Sequence, residues 1–394
     1  MPAEGARRPA WAEIDLSAIT HNARLLAAIS APAALCAVVK ADGYGHGAVP
    51  VASAALAGGA SELAVALVDE GVELREAGID VPILVLSEPA RDAMEDAIAH
   101  RLCPTLYSPE GVEAAVAAVR AISGTVPAPV EVKVDTGMHR VGAAPADVAR
   151  IVAAIVAAPE LSYRGLWTHF AVADEVVDGF TAEQLRLFEE LLESLRSAGL
   201  PEPARRHAAN SAGAIAWPAA RLDLVRCGIS LYGYSPSFEV APVLAAEVER
   251  AAPGSNGLRP AMSVKARVTM VREYEAGERV SYGRVRPLPV RSLVSTVPLG
   301  YADGIWRGYG AAGGEVLIGG RRCELAGTVT MDQILVDCGA GVPVEVGDEV
   351  VLLGRQGNEV VTADEWAGRL GTVSYEVVTR IGPRLVRVNK EGVT

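Results

Sequence analysis

Short apolar runs alternate with helical segments from about residue 35 to residue 230, and this alternation constrains the fold most strongly. Eight strand candidates recur at Leu35–Val39, Leu63–Val68, Pro82–Leu86, Leu102–Leu106, Val130–Val134, Tyr163–Thr168, Arg206–Ala209 and Leu222–Cys227. Helix candidates separate them at Ala48–Ala57, Asp69–Ala77, Pro89–Ala99, Pro109–Ala121, Pro145–Ala157 and Thr181–Ala198. This spacing predicts an α/β fold with parallel strands and right-handed crossovers. Eight units favour a closed (β/α)₈ TIM-type barrel. A doubly wound sheet is the alternative, although no G-x-G-x-x-G follows a strand.

The amino-acid composition and the pattern of predicted elements change after Tyr234, which indicates a second domain. Residues 235–260 are rich in proline and glycine, which is typical of a domain boundary. Short β-rich runs follow at Ser263–Glu273, Ser292–Val297, Glu315–Ile318, Ile334–Asp337 and Glu349–Leu353. One helix candidate, Thr362–Leu370, also lies in this region. We therefore expect a barrel over residues 12–245 and a mainly β C-terminal domain over 246–394, with residues 1–11 as a candidate addition to it. A small barrel and a sandwich both fit that domain.

Composition excludes several classes of function. The chain has 394 residues, half of them hydrophobic, and a net charge of −12, so neither a nucleic-acid nor a polybasic membrane surface is expected. Its five cysteines have neither paired nor metal-ligand spacing, and we expect reduced thiols and no metal site. No uncharged apolar stretch of about 18 residues is present, and Met1–Ala10 has no apolar core of a signal peptide. A cytoplasmic protein is the expectation.

Polar side chains follow the predicted strands at their carboxyl ends, where barrel active sites form. They are Lys40, Lys133, His169, Asn210, Ser211 and Arg226. A lysine at the end of a buried strand loses basicity, and such a lysine can attack a carbonyl to form an imine. Each residue also has a simpler interpretation. Lys40 could extend its head to water, Ser211 could cap a helix, His169 could be a core histidine and Arg226 an ion-pair partner.

A phosphate group would fit the same edge of the barrel. Ser211 lies where a helix is predicted to begin, and Gly228 and Ile229 offer backbone N–H groups after the last strand. A reactive lysine beside a phosphate pocket suggests pyridoxal phosphate held on Lys40.

These motifs resemble those of the alanine racemase family from about residue 11 to residue 388. The stretches that carry the resemblance are Ala37–Gly47 (AVVKADGYGHG), Val132–Met138 (VKVDTGM), Thr168–Phe170, Ala209–Ser211, Val225–Gly233 (VRCGISLYG), Val280–Gly283 (VSYG), Leu299–Gly304 (LGYADG), Thr330–Gln333 and Ser374–Glu376. The chain departs from the family pattern at His139, where a small residue is common, and at Thr330, where cysteine is frequent.

The resemblance implies a role for individual positions. Lys40 would be the lysine that carries the cofactor and the base on one face of the substrate, and Tyr282 would be the base on the other. The residues that would bind pyridoxal phosphate are Lys40, Tyr44, His169, Asn210, Ser211, Arg226, Gly228, Ile229 and Tyr375. Those that would bind the substrate are Arg140, Tyr301, Met331 and Asp332. Lys133 aligns with a lysine that is often carbamylated in the family.

The resemblance also implies interconversion of L- and D-alanine by two bases, supplying D-alanine for peptidoglycan. It implies a head-to-tail homodimer in which Tyr282 of one subunit lies over Lys40 of the other. A broad-specificity amino-acid racemase is a related interpretation. A decarboxylase is disfavoured, because decarboxylases of this plan carry an acidic residue where Arg226 stands. A non-catalytic pyridoxal-phosphate carrier is a further alternative, but carriers of this fold lack the second domain that holds Tyr282.

Overall fold

A computed structural model describes residues 8–122, 127–340 and 343–390. Residues 1–7 and 391–394, which the sequence placed in or beside the second domain, lie outside this range. The chain divides into two compact units. The barrel unit contains Ser17–Gly43 and Gly47–Pro260, and the β unit contains the described residues up to Leu16, Tyr44–His46 and those from Ala261 onward. The expected boundaries were residues 12 and 245.

The barrel unit has eight strands joined by helices. The strands are β2 (Ala34–Val38), β3 (Glu62–Val65), β4 (Ile83–Val85), β5 (Cys103–Leu106), β6 (Ala128–Lys133), β7 (Leu161–Trp167), β8 (Arg205–His207) and β9 (Leu224–Cys227). They lie in the order β8-β7-β6-β5-β4-β3-β2-β9, and every paired neighbour is parallel. Between β8 and β9, Asp223 N–H donates to Arg206 O and Arg226 N–H to Ala209 O. The predicted (β/α)₈ barrel is confirmed.

The helical segments of this region are α1 (Leu16–Ser30), α2 (Lys40–Gly45), α3 (Ala48–Ala57), α4 (Val68–Glu76), α5 (Arg91–Ala99), α6 (Pro109–Ala121), α7 (Pro145–Ala157), α8 (Phe180–Ser197), α9 (Ser211–Ala216) and α10 (Val240–Ala251). Helices α3 to α8 fall close to the six positions predicted between the strands. Helix α10 lies in the segment that proline and glycine content marked as a boundary. Its buried Val240, Leu244 and Val248 recur every four residues, and this apolar stripe stabilises the helix despite the nearby prolines.

The β unit contains one continuous sheet of ten strands in mostly antiparallel order. The strands are β1 (Ala10–Asp15), β10 (Met262–Arg267), β11 (Met270–Tyr274), β12 (Ser292–Val297), β13 (Glu315–Ile318), β14 (Arg321–Leu325), β15 (Ile334–Asp337), β16 (Glu349–Gln356), β17 (Glu359–Val361) and β18 (Val386–Lys390). Helices α11 (Ala363–Leu370) and α12 (Ser374–Thr379) follow β17. The mainly β second domain is confirmed.

Two details of the β unit differ from the prediction. The β-rich run Ser263–Glu273 was predicted without an internal break, but it divides into two strands, since β10 pairs with β1 and β16 whereas β11 pairs with β12. Strand β1 was not predicted as a strand, and its position between β10 and the edge strand β18 comes from long-range pairing that local pattern does not encode. Among the described residues, no helix is both long and apolar enough to cross a bilayer.

Candidate active site

The predicted polar residues of the barrel unit gather at the carboxyl ends of its parallel strands. Lys40 comes two residues after β2, Lys133 is the last residue of β6, and His169 comes two residues after β7. Ser211 opens α9 after β8, and Arg226 is the third residue of β9. The barrel fold therefore brings these side chains to one mouth, as the sequence predicted.

Arg226 is buried and held by several acceptors. Its guanidinium donates to the Thr168 carbonyl at 2.8 Å, to the Ala208 carbonyl at 3.0 Å and to His207 Nδ1 at 2.7 Å. It also lies 3.4 Å from His169 Nδ1. Burial lowers the pKa of Arg226 to about 10, so the side chain remains charged at neutral pH. Its planar head is thus a fixed cation and donor at the mouth.

A buried carboxylate sets the tautomer of the histidine behind Arg226. Glu131 Oε2 lies 2.8 Å from His207 Nε2, and Arg226 donates to the other ring nitrogen. We assign the proton to Nε2, because Nδ1 must accept. Burial lowers the pKa of His207, which favours this neutral form. Glu131 also pairs with Arg164, whose other nitrogen is 2.6 Å from Glu62.

An aromatic ring at the end of β7 supports the cations of the mouth. Lys133 Nζ and Arg226 Cζ each lie 4.6 Å from the centre of the Trp167 ring. The His207 imidazole stacks on the same indole with centroids 5.6 Å apart and planes 12° apart. Trp167 therefore stabilises the Arg226 cation, and Lys133 when it is protonated, by cation–π attraction.

The mouth carries an excess of positive charge. Burial and then Arg140 and Arg226 lower the pKa of Lys133 to about 7. Burial and Arg140 likewise lower the pKa of Lys40. Burial, followed by Arg226 and Arg140, holds the pKa of His169 well below its usual range, so this imidazole is neutral. A cluster that suppresses its own protonation in this way favours anionic ligands.

Lysine is scarce in this chain, which has only four. Two of them, Lys265 and Lys390, pair with Glu13 in the β unit at 2.9 Å and 2.5 Å. The other two, Lys40 and Lys133, are those at the barrel mouth. An imine-forming lysine at the barrel mouth would therefore be Lys40 or Lys133, and of these Lys40 alone lies in the glycine-rich segment.

The segment after Lys40 has an unusual backbone. Ala41, Asp42 and Tyr44 have φ between 51° and 54°, and Gly43 and Gly45 also have positive φ, so α2 is a left-handed turn. Each non-glycine residue in this conformation costs about 1–2 kcal/mol. Within the barrel unit, Glu70 accepts from Ala41 N–H at 2.7 Å and Asp42 from Ala48 N–H at 2.8 Å. These bonds offset part of the strain and fix the backbone beside Lys40.

Asn210 and Ser211 have different roles at the start of α9. Asn210 caps the helix, since its side-chain oxygen accepts from Gly213 N–H at 2.9 Å. Ser211 accepts from Gly228 N–H at 3.0 Å instead, so the interpretation of Ser211 as the cap is wrong. This bond joins the turn after β8 to the turn after β9, where Ile229 begins a short 3₁₀ helix.

The β unit has its own cluster of predicted residues. Tyr282, Tyr301 and Met331 line an open cavity of about 830 Å³. Tyr282 is 69% exposed. The Thr330 carbonyl accepts from Tyr301 N–H at 2.9 Å, which joins two of the predicted segments. A side chain at Gly300 would lie 2.3 Å from the Thr330 and Met331 carbonyl oxygens, so this glycine permits the close approach.

The turn that presents Tyr282 is held by a reciprocal pair of hydrogen bonds. Ser281 Oγ donates to the Thr328 carbonyl at 2.6 Å, and Thr328 Oγ1 donates to the Tyr282 carbonyl at 3.0 Å. Ser281 and Arg284 have positive φ, as does Gly283 between them. A strained turn held by its neighbours is typical of functional positions.

The remaining predicted residues of the β unit also have defined surroundings. The Asp332 carboxylate pairs with Arg384 at 2.7 Å. The rings of Tyr44 and Tyr375 lie 6.4 Å apart at 46°, which places two phenols of the predicted phosphate site side by side.

Sequence reasoning missed the residues behind the mouth, above all Glu131 and His207. A signal was present for Glu131, because Val130-Glu131-Val132-Lys133-Val134 alternates strictly. In a strand this pattern places Glu131 and Lys133 on the same face, and two charges there point to an inward polar network. His207 gave no comparable signal, since Arg205 and Arg206 precede it.

Fold and site together define a class of protein: a (β/α)₈ barrel with two lysines of lowered pKa at its mouth and a second, β domain. Comparisons with known proteins narrow the class. Residues 14–236 match the family model of the alanine racemase N-terminal domain, and residues 261–389 match that of the alanine racemase C-terminal domain.

Full-length relatives agree with both family models. The chain is 45% identical over 380 residues to the alanine racemase of Symbiobacterium thermophilum, covering 96% of this chain and 97% of the relative. Among solved structures, alanine racemase from the D-cycloserine producer Streptomyces lavendulae aligns with a TM-score of 0.88 at 38% identity, with 98% of each chain covered. The structure of alanine racemase from Streptomyces coelicolor aligns with a TM-score of 0.87 at 41% identity, covering 97% of this chain and 98% of the other. The chain belongs to the alanine racemase family.

Proposed function

We propose that this protein interconverts L- and D-alanine, using pyridoxal phosphate and two bases, Lys40 and Tyr282. The observation that carries the proposal is the mouth of the barrel, where Lys40 has a lowered pKa among Arg140, Lys133 and Arg226. A neutral lysine is nucleophilic and basic, and the cations around it suit a phosphate and a carboxylate. Membership of the family supports the same activity.

The chemistry of the mouth fits the cofactor. Ser211, Gly228 and Ile229 would hold the phosphate on the barrel side, with Asn210 fixing the helix that carries Ser211. Tyr44 and Tyr375 are proposed as further phosphate ligands, and His169 as a support for the ring. Arg226 would face the pyridine nitrogen. When bound, pyridoxal phosphate supplies the electron-withdrawing group that makes the substrate α-proton acidic.

Lys40 and Tyr282 would move the proton. Racemisation removes the α-proton from one face and returns one to the other, so a base is needed on each side of the α-carbon. The lowered pKa of Lys40 keeps a larger share of its amine neutral, and therefore able to accept a proton, than an ordinary lysine has. Tyr282 is an exposed phenol on a fixed turn, free to approach a second surface.

The substrate carboxylate would be bound by Arg140 and by the Met331 backbone amide, with Tyr301 and Asp332 beside them. Lys133 is proposed to be carbamylated by carbon dioxide, forming an N–C bond and releasing one proton. The carbamate would be an anion among cations, and its attraction would orient Arg140. A pKa of about 7 supports this, because only the neutral amine reacts with carbon dioxide.

The predicted residues are divided between two units, which bears on assembly. Lys40, Arg140 and Arg226 belong to the barrel unit, and Tyr282, Tyr301 and Met331 to the β unit. We propose a head-to-tail homodimer in which each site takes Lys40 from one subunit and Tyr282 from the other. We also propose a cytoplasmic location and a role in supplying D-alanine for peptidoglycan, in keeping with five free cysteines and with the family.

The direct test of the activity is chiral chromatography of L-alanine incubated with the purified protein and pyridoxal phosphate. We expect equal amounts of the two enantiomers at equilibrium, no activity in Lys40→Ala and full activity in Lys390→Ala, which removes an exposed lysine of the β unit. Borohydride should attach the cofactor permanently to Lys40. A protein that binds the cofactor but leaves L-alanine unchanged would be a carrier. Equal rates on many amino acids would indicate a broad-specificity racemase.

A further inference from the structure

A cross-strand pair of cysteines lies in the β unit and includes no residue of the proposed racemase site. Strands β14 and β15 pair with Glu324 opposite Asp337 and Leu325 opposite Val336. One step beyond these paired residues, the same register places Cys323 opposite Cys338. Both thiols are free and nearly buried, with 5% and 3% of their surfaces exposed.

The register gives this pair a spacing that suits a disulfide. Ala326 N–H donates to the Leu335 carbonyl at 2.7 Å, which makes that pair hydrogen-bonded. Hydrogen-bonded and non-bonded pairs alternate along an antiparallel ladder, so Cys323 and Cys338 fall on a non-bonded position one step past the paired residues. Cα atoms at such positions lie about 4.5 Å apart, and disulfides span Cα separations of about 4.4–6.8 Å.

The two thiols differ in their surroundings. The neighbouring Cys323 thiol, and then Ser295, whose Oγ lies 3.5 Å from Cys338 Sγ, lower the pKa of Cys338, although burial and Asp337 oppose this. The Cys338 thiol and burial raise the pKa of Cys323. A thiol of lowered pKa beside one of raised pKa suits the roles of a nucleophile and a resolving cysteine.

A small reagent can reach the pair. Cys323 and Cys338 line a cavity of about 240 Å³, together with Arg286, Arg321 and Asp337. The other three cysteines differ from this pair. Burial raises the pKa of Cys36 and Cys103 well above its usual range and that of Cys227 to about 12, so these remain protonated and unreactive.

We propose that Cys323 and Cys338 form a redox-active dithiol site that reduces hydrogen peroxide and closes into an intrachain disulfide. The Cys338 thiolate attacks one peroxide oxygen, the O–O bond breaks, and the released hydroxide takes a proton to become water. The Cys323 sulfur then attacks the sulfenic acid of Cys338, loses its proton and displaces a second water. Two thiols are oxidised to one disulfide, and one peroxide is reduced to two waters.

The disulfide would close the open end of a hairpin. Strands β14 and β15 flank residues 326–333, which include Thr330 and Met331. A covalent link from the middle of β14 to the residue after β15 restricts the unfolded chain, so the oxidised protein should unfold at a higher temperature. The proposal does not depend on the racemase activity.

Peroxide titration of the full chain at pH 7, followed by non-reducing peptide mapping, tests the proposal. We expect a linked peptide pair joining Cys323 to Cys338, reversible by dithiothreitol, formed roughly tenfold or more faster than any oxidation of Cys103, which is also 3% exposed. Cys103→Ser, the matched control, should form the same link at the same rate. The proposal would be overturned if Cys323 and Cys338 both remained free thiols after full peroxide treatment, or if all five cysteines were oxidised at similar rates.

Single variants separate the two roles. Cys323→Ser should leave a sulfenic acid on Cys338 that dimedone labels, because no resolving thiol remains. In Cys338→Ser, Cys323 should stay unlabelled. Equal labelling in both variants would contradict the assignment of Cys338 as the nucleophile. The wild-type mapping needs neither variant to fold and decides the linkage by itself.

Discussion

At the residue scale, burial changes the charge of the mouth selectively. Burial leaves Arg226 protonated, with a pKa of about 10, but it lowers the pKa of Lys133 to about 7 and keeps His169 neutral. An arginine opposite the pyridine nitrogen would not give up its proton, so that nitrogen would stay unprotonated. The cofactor would then withdraw electrons less strongly, which favours return of the proton to the substrate over transamination.

Lys133 provides a test of the carbamate. At pH 7 about half of its amine is neutral, whereas an ordinary lysine with a pKa of about 10.4 is neutral in roughly one molecule in a few thousand. With ¹³C-bicarbonate, we expect a carbamate signal in NMR spectra that Lys133→Gln abolishes and Lys265→Gln retains. Lys133→Gln should also raise the KM for alanine roughly tenfold, since Arg140 loses a partner worth about 1–2 kcal/mol. A spectrum without the signal would contradict the assignment.

Glu131 is a positioning residue, and Glu62 offers a matched control. Both carboxylates are buried and pair with Arg164, but only Glu131 contacts His207. Either replacement by glutamine should cost about 3–5 kcal/mol of stability in urea unfolding, because Arg164 loses a charged partner. We expect only Glu131→Gln to raise the fraction of turnover lost to transamination, since the His207 tautomer that holds Arg226 is no longer fixed. Equal transamination fractions in the two variants would show that the contacts from Glu131 through His207 to Arg226 are purely structural.

At the element scale, two turns present the proposed bases: the left-handed turn after β2 and the strained turn around Tyr282. In addition, the backbone at Gly300 closely approaches the segment that contains Thr330 and Met331. A methyl group at Gly300 would lie 2.3 Å from two carbonyl oxygens, so it must displace that segment. The position of the Met331 amide therefore depends on the absence of a side chain at Gly300.

We expect Gly300→Ala to raise the KM for alanine at least about tenfold while the protein stays folded, because a shift of about 1 Å in a positioning group can cost that much or more. Steady-state kinetics and circular dichroism measure the two quantities. Gly308→Ala is the control, since a Cβ there meets nothing within 4 Å. A KM for Gly300→Ala that matches that of Gly308→Ala would show that the close approach does not position the substrate.

Sequence pattern predicted the barrel well because its elements are local. Helices α3, α6 and α7 begin and end at the predicted residues, since the signals for them are local: apolar residues along each helix and, in α6 and α7, a proline at the first position. Strand β1 was missed because its neighbours β10 and β18 are distant in sequence. The residues of the mouth could be predicted from strand ends and motifs, whereas the contact of His207 with Arg226 needs the register of neighbouring strands.

At the scale of the whole molecule, the proposed chemistry is divided. Each compact unit holds only part of the proposed site, with Lys40 in one and Tyr282 in the other. A two-fold homodimer would contain two equivalent sites, each built from both subunits. The central claim is that Lys40 and Tyr282 of different subunits act on one substrate molecule, and counting active sites after subunit exchange tests it.

The measurement mixes equal amounts of Lys40→Ala and Tyr282→Phe proteins, each expected to be inactive, under conditions that exchange subunits. About half of the dimers become mixed, and each mixed dimer has one site with both residues intact and one with neither. Racemisation of alanine should return at about a quarter of the wild-type rate per subunit. If a tagged subunit shows that exchange is complete and no activity returns, the two residues act within one chain and the shared site is contradicted.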